Sequence, residues 1–238
     1  MSSDMESWRK NPKYNWIYMK PNLCELQKIK WWPCPIEPDI YPAVLRPMIN
    51  LGGMGSEVVF VNNESEFWDN SCYGYFSTPF IKGMHTSHDY DISNGVPFNE
   101  TTFEGKSNPE FPGCFKYWKL IKKNAEVELF SNLKKLLKKL KDYSGPLNIE
   151  CINGVIIEAH LRRGDCGFTN QYEMPLYIVP IWGNLNISET DDIDVDKIKR
   201  EKGVYEVIVD SELLTKTGNN MQRKAIVITS ILPDDLND

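Results

Sequence analysis

The stretch LNIECINGVIIEAHLRRGD, residues 147–165, has the pattern of two strands around a tight turn. Among its isoleucines it carries two carboxylates, Glu150 and Glu158, together with His160 and two arginines. A carboxylate is rare inside a core, because burying an unpaired charge is costly. The face on which these side chains lie therefore decides what the hairpin does.

Two registers are compatible with the turn. A two-residue turn at Asn153-Gly154 pairs Ile152 with Val155 and mixes polar and apolar residues on both faces. A three-residue loop gives Gly154 the left-handed conformation and places Glu150 opposite Ile156. We favour the three-residue loop, because it sorts the side chains and a one-residue slip would exchange the faces. Its apolar face comprises Leu147, Ile149, Cys151, Val155, Ile157, Ala159 and Leu161. Its other face comprises Asn148, Glu150, Ile156, Glu158, His160 and Arg162.

The two neighbouring carboxylates have two interpretations. In an enclosed site they repel each other, and a divalent cation relieves the repulsion. Mg²⁺ takes oxygen ligands from one or two carboxylates and keeps its other positions for phosphates. The alternative is an exposed sheet face, on which Glu150, Glu158 and Arg162 form ordinary surface ion pairs. The hairpin alone leaves both interpretations open.

The composition is typical of one substantial domain or two closely packed lobes, with 238 residues of which 41% are hydrophobic. A net charge of −6 argues against whole-surface attraction to nucleic acid or to an anionic membrane. The polar N-terminal stretch lacks the apolar region of a signal peptide, and no apolar run has the length of a transmembrane helix. Six cysteines without a C-x-x-C pair indicate reduced thiols. We therefore expect a cytoplasmic, intracellular protein.

Helical and strand-like patterns alternate along the chain, which argues against an all-α and an all-β fold. Strands are predicted at 41–49 and 57–63, with a glycine-rich segment between them, and a short helix capped by Asn63 or Ser65 follows. Residues 97–114 have the composition of a loop. Residues 115–143 predict one long helix with an apolar stripe of Phe130, Leu133, Leu137 and Leu140.

The order of these elements resembles the ATP-grasp superfamily, especially the ligases related to carbamoyl-phosphate synthetase. YPAVLRP looks like the family's YPvvvKP strand, and Arg46 stands where its lysine touches ATP phosphates. INLGGMGS looks like the flexible loop that covers the phosphates, although alone it is equally compatible with a plain β-turn. TPFIKGMHTSHDYDISNG is similar to the hinge and the next strand, and LNIECINGVIIEAHLRRG to the metal hairpin. The resemblance covers residues 41–165 and implies two small α+β lobes with largely antiparallel sheets that enclose a nucleotide cleft.

The resemblance also implies roles for individual residues. Glu150 and Glu158 take the metal positions, and His160 replaces the usual asparagine ligand, which favours an ion softer than Mg²⁺, such as Mn²⁺. Arg162 or Arg163 would bind the acyl phosphate or its carboxylate precursor. The residues implied in binding ATP phosphates are Arg46, Gly52, Gly53, Met54, Gly55 and Ser56. Those implied near the adenine are Thr78, Pro79, Phe80 and Ile81, and those near the ribose or phosphates are His85 and Asp89.

The resemblance divides the chain into an extended aromatic and proline-rich leader at 1–40, a small lobe at 41–80, a large lobe with the carboxylate hairpin at 81–170 and a C-terminal α/β extension at 171–238. Only 40 residues precede the match, so it corresponds to a reduced form without the family's usual N-terminal domain. That form also lacks an earlier phosphate-binding lysine, for which Lys28 or Lys30 could substitute.

Three functions are compatible with the sequence. The first is an ATP-dependent ligase that joins a small-molecule or peptide carboxylate to an amine or a thiol through an acyl phosphate, with ATP and Mg²⁺ as cofactors. The second is a nucleotide-binding or scaffold protein without ligase activity, as the reduced N-terminus and His160 suggest. The third is an α+β interaction protein in which the motif order is a coincidence. None involves nucleic acid or a membrane, and in a homo-oligomer a neighbouring subunit could complete the reduced lobe.

Overall fold

Two antiparallel sheets and a helical N-terminal segment make up the chain, as seen in a computed structural model. The first sheet has four strands in the order β1-β4-β2-β3, and the second has eight in the order β11-β12-β10-β7-β6-β5-β8-β9. The structure describes residues 3–49, 51, 57–108, 114–164, 171–184, 194–209, 221–233 and 236.

The N-terminal segment is helical, whereas the sequence predicted an extended leader. It contains α1 (Asp4–Lys10), a 3₁₀ helix (Pro12–Tyr18) and α2 (Lys20–Gln27). Local helix-start signals explain why this segment is helical. Ser3 caps α1 by accepting a hydrogen bond from the Glu6 backbone N–H, and a proline lies in the first turn of the 3₁₀ helix and of α2. The aromatic side chains of this segment pack on the main core instead of along an extended chain. They are Trp8, Tyr14, Trp16 and Tyr18.

The structure confirms the strands that the sequence predicted at 41–49 and 57–63 and the short helix that follows them. The strands of the first sheet are β1 (Trp32–Pro33), β2 (Ala43–Pro47), β3 (Val59–Val61) and β4 (Tyr75–Pro79). The short helix α3 (Glu64–Asn70) begins after Asn63, whose side chain accepts a 3.0 Å hydrogen bond from the Glu66 backbone N–H. The N-cap is therefore Asn63, the first of the two predicted candidates.

The second sheet is built entirely from antiparallel pairs. The last three strands join it because β10 pairs with β7. Among the described helices, none combines the length and the apolarity that are needed to cross a bilayer. The strands are β5 (His85–Ser93), β6 (Val96–Ser107), β7 (Phe115–Ala125), β8 (Gly145–Ile152), β9 (Val155–His160), β10 (Tyr177–Asn184), β11 (Val204–Val209) and β12 (Met221–Thr229). The helices are α4 (Ser131–Lys139) and α5 (Val195–Lys199).

Two predictions for the region before the hairpin are wrong. The predicted loop at 97–114 is largely strand β6, and the predicted helix at 115–143 divides into strand β7 and the shorter helix α4. Phe103 lies opposite Leu120 and Gly105 lies opposite Trp118, so both strands gain their stability from cross-strand pairs. Tertiary pairing thus overrides the helical preference of the lysine-rich stretch. The apolar stripe belongs to α4 alone, where Leu133 and its neighbours are buried.

The main core lies between α4, the N-terminal helices and one face of β8 and β9. Burying one leucine side chain there contributes about 1.5–3 kcal/mol. Strand β9 is an edge strand of the sheet, and Gln27 of α2 pairs with it as a strand would. The Gln27 side chain donates to the Ile156 carbonyl and accepts from the Ile156 N–H, both at 2.8 Å. The N-terminal segment therefore covers the edge beside the carboxylate hairpin.

Candidate functional site

The hairpin has a different register from the one that we favoured. Asn153 and Gly154 both have positive φ, 49° and 76°, which gives a two-residue turn with Ile152 opposite Val155. A register shift follows at Ile157, so Glu150 lies opposite Glu158 and not opposite Ile156. The predicted three-residue loop is wrong because one extra residue in β9, a β-bulge, sorts the side chains further along the strand.

The bulge changes which side chains face the core. Ile156 is buried in the core, whereas Val155 and Ile157 are only half-buried, which reverses the prediction for these three residues. The rest of the apolar face is confirmed as core: Leu147, Ile149, Cys151, Ala159 and Leu161. The opposite face carries the predicted polar residues Asn148, Glu150, Glu158 and His160 in two cross-strand pairs.

Glu158 is buried and has a cationic partner at each carboxylate oxygen. Its Oε1 forms an ion pair with Nζ of Lys20, the first residue of α2, whose side chain is only 4% exposed. Its Oε2 lies 3.3 Å from Nε2 of His160. Burial acts to raise the pKa of Glu158, but the charge of Lys20 and the contact with His160 hold it well below its ordinary value. Glu158 is therefore an ionised carboxylate away from water.

His160 lies between two carboxylates. Its Nδ1 is 2.9 Å from Oδ1 of Asp4, and its Nε2 faces Glu158. Burial acts to lower the pKa of His160, but the two carboxylates raise it to about 9. Because an ionised carboxylate only accepts hydrogen bonds, both ring nitrogens donate and the side chain is an imidazolium. Arg162 closes the chain of contacts with two hydrogen bonds to Asp4, from Nε at 2.8 Å and from Nη2 at 2.7 Å.

Arg46 connects the first sheet with the hairpin. From β2 its guanidinium lies over the Phe76 ring at 5.0 Å, and its Nη1 donates to the Ile157 carbonyl at 3.3 Å. Burial acts to lower the pKa of Arg46, and the interaction with Cys24 and the charge of Glu158 oppose that effect. Within the described residues, Nε of Arg46 has no hydrogen-bond partner.

Together these residues form a buried charge cluster of four cationic groups and two carboxylates. Three of the cations contact a carboxylate, and Arg46 interacts with Glu158 through its charge. Besides Nε of Arg46, Nζ of Lys20 also lacks a hydrogen-bond acceptor in the described part of the chain apart from its ion pair with Glu158. The cluster therefore has an excess of positive charge and N–H groups to spare, which an anion with several oxygens would satisfy. Its members are Asp4, Lys20, Arg46, Glu158, His160 and Arg162.

The cluster does not fit a divalent metal ion. Both oxygens of Glu158 face donors, and an imidazolium such as His160 has no lone pair to offer a metal. Glu150, the third predicted ligand, faces His85 instead, with its Oε2 3.1 Å from Nε2 of that histidine. Across the described ranges, no group of three His, Cys, Asp or Glu side chains comes close enough to hold a metal. The repulsion that motivated a metal site is relieved by Lys20 and His160 instead.

Comparison with solved structures identifies the fold. An L-amino acid ligase from Bacillus licheniformis has a TM-score of 0.61 at 12% identity, over 97% of this chain and 69% of that one. A carboxyaminoimidazole ribonucleotide synthase from Aspergillus clavatus, complexed with ATP, has a TM-score of 0.64 at 12% identity, over 90% of this chain and 68% of that one. An N5-carboxyaminoimidazole synthetase from Staphylococcus aureus has a TM-score of 0.55 at 13% identity, over 99% of this chain and 75% of that one.

The chain has the ATP-grasp fold. Its α+β class, with one four-stranded and one eight-stranded antiparallel sheet, agrees with that of these structures. No protein-family model matches the sequence, and no curated protein matches it either. At identities of 12–13%, the likeness establishes the fold and leaves the activity open.

The other residues implied in nucleotide binding fall partly inside and partly outside the described part of the chain. Thr78, Pro79, Phe80 and Ile81 lie at the end of β4 and in the connection from the first sheet to the second. Phe80 is 42% exposed and packs edge-on against the Phe60 ring, at 5.6 Å between centroids. Gly52, Gly53, Met54, Gly55 and Ser56 lie outside the described residues.

Three residues implied to contact ligand have structural partners of their own. The Asp89 carboxylate is buried and accepts hydrogen bonds from the Gly164 backbone N–H at 2.6 Å and from the Asn148 side chain at 3.0 Å. Arg162 binds Asp4, as described above, and Arg163 forms an ion pair with Asp91. Among these arginines, Arg163 is the more accessible, with a third of its side chain exposed.

His85, in contrast, lies in an aromatic environment on the same sheet face as Glu150. Its ring centroid is 4.8 Å from that of Phe115 and 5.5 Å from that of Trp118. The close approach of these two rings requires Gly105, because a Cβ there would come within 2.9 Å of both. The aromatic pair was not predicted, since it lies in the segment that was read as the start of a helix.

Sequence reasoning also missed the two residues that hold the hairpin's charges. Asp4 and Lys20 lie more than 130 positions before their partners, and neither belongs to a recognisable motif. Lys28 and Lys30, the lysines proposed to replace a phosphate-binding lysine, are exposed, and Lys30 pairs with Asp39 at the surface. The only signal for Lys20 is its place next to Pro21 at a helix start.

Proposed function

We propose that the protein binds ATP where the first sheet meets hairpin β8–β9, with the phosphates against Arg46 and Lys20. The excess positive charge of the buried charge cluster carries this proposal. Donors that lack acceptors in a buried place are costly, and phosphate oxygens would supply the acceptors. Because Arg46 extends from the first sheet and the remaining cations belong to the hairpin and to the helices beside it, the cluster stands at the junction of the two sheets.

The adenine would lie along residues 78–81, and the ribose near His85. Ile81 follows β4 in the connection between the sheets, so its backbone groups would meet the base edge. The Phe80 N–H already donates to the Pro42 carbonyl at 2.9 Å, which leaves the Phe80 carbonyl for the nucleotide. The aromatic pair Phe115 and Trp118 beside His85 offers flat apolar surface in addition. Glycines at 52–56 would cover the phosphates with backbone N–H groups.

We further propose that the bound nucleotide serves an ATP-dependent ligase. When bound, ATP would supply the phosphoryl group that turns a substrate carboxylate into an acyl phosphate, which an amine or a thiol then attacks. The residues of this chain would position the phosphates and stabilise their negative charge, through Arg46 and Lys20. Arg163, the more accessible arginine, would bind the substrate carboxylate. Similar solved structures named as a ligase and as synthases support this assignment.

A second function, nucleotide binding without ligase activity, is favoured by one observation. Glu158 and His160, which the family resemblance assigned to a catalytic metal ion, already have Lys20 and Asp4 as partners. A scaffold or sensor needs only the nucleotide site. Release of ADP that requires both a carboxylate and an amine would distinguish the ligase from this alternative.

Calorimetric titration with ADP tests the nucleotide site. We expect saturable binding to the wild type and at least tenfold weaker binding to Arg46→Met, because the variant loses a charged donor to the phosphates. Lys13→Met is the matched control, since it also removes one cation, but from an exposed pair with Asp142, and should leave the affinity unchanged. Circular dichroism verifies that each variant is folded. Absence of ADP binding to the folded wild type would contradict the proposed function.

A further inference from the structure

We propose that Lys20 takes the place of a divalent metal ion at Glu158, so that this site binds a nucleotide without a metal at that carboxylate. The statement about the nucleotide rests on the proposed function, whereas the statement about Lys20 and Glu158 rests on the contacts alone. A metal-binding hairpin needs free ligand atoms, whereas donors occupy both carboxylate oxygens of Glu158.

Lys20 is fixed in its position by the backbone. As the first residue of α2 it precedes Pro21, and its own backbone N–H donates to the Met48 carbonyl at 2.9 Å. The side chain is 4% exposed and forms its ion pair with the Oε1 oxygen of Glu158. A surface lysine exchanges partners with water easily, but this ammonium group would have to leave a buried carboxylate to make room for a metal ion.

The second oxygen of Glu158 is held from the other side. His160 faces it with Nε2, and the imidazole is held in turn by Asp4 at Nδ1. Asp4 receives two hydrogen bonds from Arg162, which fix its carboxylate. The His160 ring therefore cannot turn away from Glu158 without losing its contact with Asp4. Both ligand atoms of Glu158 are therefore engaged by groups that are themselves fixed.

The charge balance leads to the same conclusion. The buried charge cluster already has more cationic groups than carboxylates, so a divalent ion would add charge of the sign that is in excess. A phosphate would add the opposite sign and would meet the N–H groups of Lys20 and Arg46 that lack acceptors. Free ADP carries more negative charge than its magnesium complex, so we expect the free nucleotide to bind at least as tightly.

Titration of the wild type with Mn²⁺ alone, and with ADP in EDTA or in excess Mg²⁺, tests the proposal. We expect no saturable Mn²⁺ binding, and an ADP dissociation constant in EDTA that is no more than threefold above the value in Mg²⁺. Two results would overturn the proposal: Mn²⁺ binding that Glu158→Gln abolishes, or ADP binding at least tenfold weaker in EDTA. Either would mean that Lys20 yields its place to the metal.

The Mn²⁺ titration and the ADP titrations test this proposal and the proposed function separately. If ADP binds in neither condition, the nucleotide site is disproved, while the missing Mn²⁺ binding still supports Lys20 as the resident cation at Glu158. The double variant Lys20→Met/Glu158→Gln removes the buried pair without leaving an unpaired charge. It should bind ADP in EDTA at least tenfold more weakly than the wild type, whereas an unchanged affinity would show that Lys20 does not meet the phosphates.

Discussion

At Glu158 the cost of burying a carboxylate is offset by two fixed cations, Lys20 and His160. A buried ion pair is weak evidence of net stabilisation, because both charges lose their hydration. Removal of one partner has a large effect all the same, since the other charge is left buried and unpaired. Stability measurements can therefore show whether these residues act as a pair.

Lys20→Met should lower the free energy of unfolding by about 3–5 kcal/mol, because it leaves Glu158 without its ammonium partner. The double variant Lys20→Met/Glu158→Gln should recover most of that loss, since neither remaining side chain is charged. Denaturant unfolding measures both values. The control is Lys10→Met, which removes an exposed lysine from its pair with Glu6 and should cost no more than about 1 kcal/mol. Equal losses in the single and double variants would show that Lys20 and Glu158 are not coupled.

The imidazolium of His160 predicts a loss of stability at alkaline pH. Its pKa in the folded protein is raised to about 9, above the value of 6.5 that applies to the unfolded chain. The extra affinity for a proton therefore stabilises the fold fully below pH 6.5 and is lost as the pH rises through about 9. At about 1.4 kcal/mol per pKa unit, the loss amounts to roughly 2–4 kcal/mol.

Urea unfolding of the wild type and of His160→Gln between pH 6 and pH 9.5 measures this effect. The difference between the two proteins should shrink as the pH rises, because the variant has no imidazole to titrate. The cysteine thiols also ionise over part of this pH range in the unfolded chain, but their contribution to the free energy of unfolding is the same in both proteins and cancels in the difference. A difference that is constant with pH would contradict a protonated His160.

The sequence predicted the hairpin residues of this network but not their partners from the N-terminal helices. The alternation in the hairpin predicted that Asn148, Glu150, Glu158 and His160 share a face, and the structure confirms it. It did not predict that Lys20 and Asp4 meet them, because contacts over such sequence separations leave no periodic pattern. The metal site inferred from the resemblance required free oxygens on Glu158 and a free nitrogen on His160. Lys20 and Asp4 occupy these positions, and the sequence pattern could not reveal either residue.

At the scale of elements, two hairpins turn with the same dipeptide and the same backbone angles. Asn94 and Gly95 have φ of 46° and 74°, and Asn153 and Gly154 have 49° and 76°. Both are the two-residue turns that Asn-Gly favours. The two-residue turn at Asn153-Gly154 was one of the two registers compatible with the sequence, but the sequence could not show the β-bulge that follows it. The bulge depends on how the whole strand packs, so the register that sorts the side chains without a bulge was the wrong one.

The two turn glycines form a matched pair for mutation. Gly154→Ala should cost about 1 kcal/mol, because an alanine is strained at this φ but its Cβ would meet nothing within 4 Å. Gly95→Ala should cost about 1–3 kcal/mol more, since its Cβ would lie 2.6 Å from the Lys141 backbone. Thermal or denaturant unfolding compares them directly. Equal costs would mean that the Lys141 segment moves aside freely.

At the scale of the whole molecule, the N-terminal helices connect the two sheets. Helix α2 bonds to the end of the first sheet through Lys20 and Met48, and to the edge of the second sheet through Gln27 and Ile156. The fold class and the ATP-grasp resemblance could be predicted from the order of motifs, because strand and turn patterns are local. The role of the N-terminal helices could not, since it is expressed only in contacts with distant elements.

We propose that a nucleotide binds where β2, β9 and the start of α2 meet. Hydrogen–deuterium exchange of the full chain, with and without saturating ADP in EDTA, tests it most directly. We predict slower exchange of the backbone amides at 43–47, 155–160 and 20–24, because a phosphate bound to Arg46 and Lys20 would hold these elements together. Exchange in β10–β12 should stay unchanged. Protection that is confined to β10–β12, or absent from β2 and β9, would contradict the account.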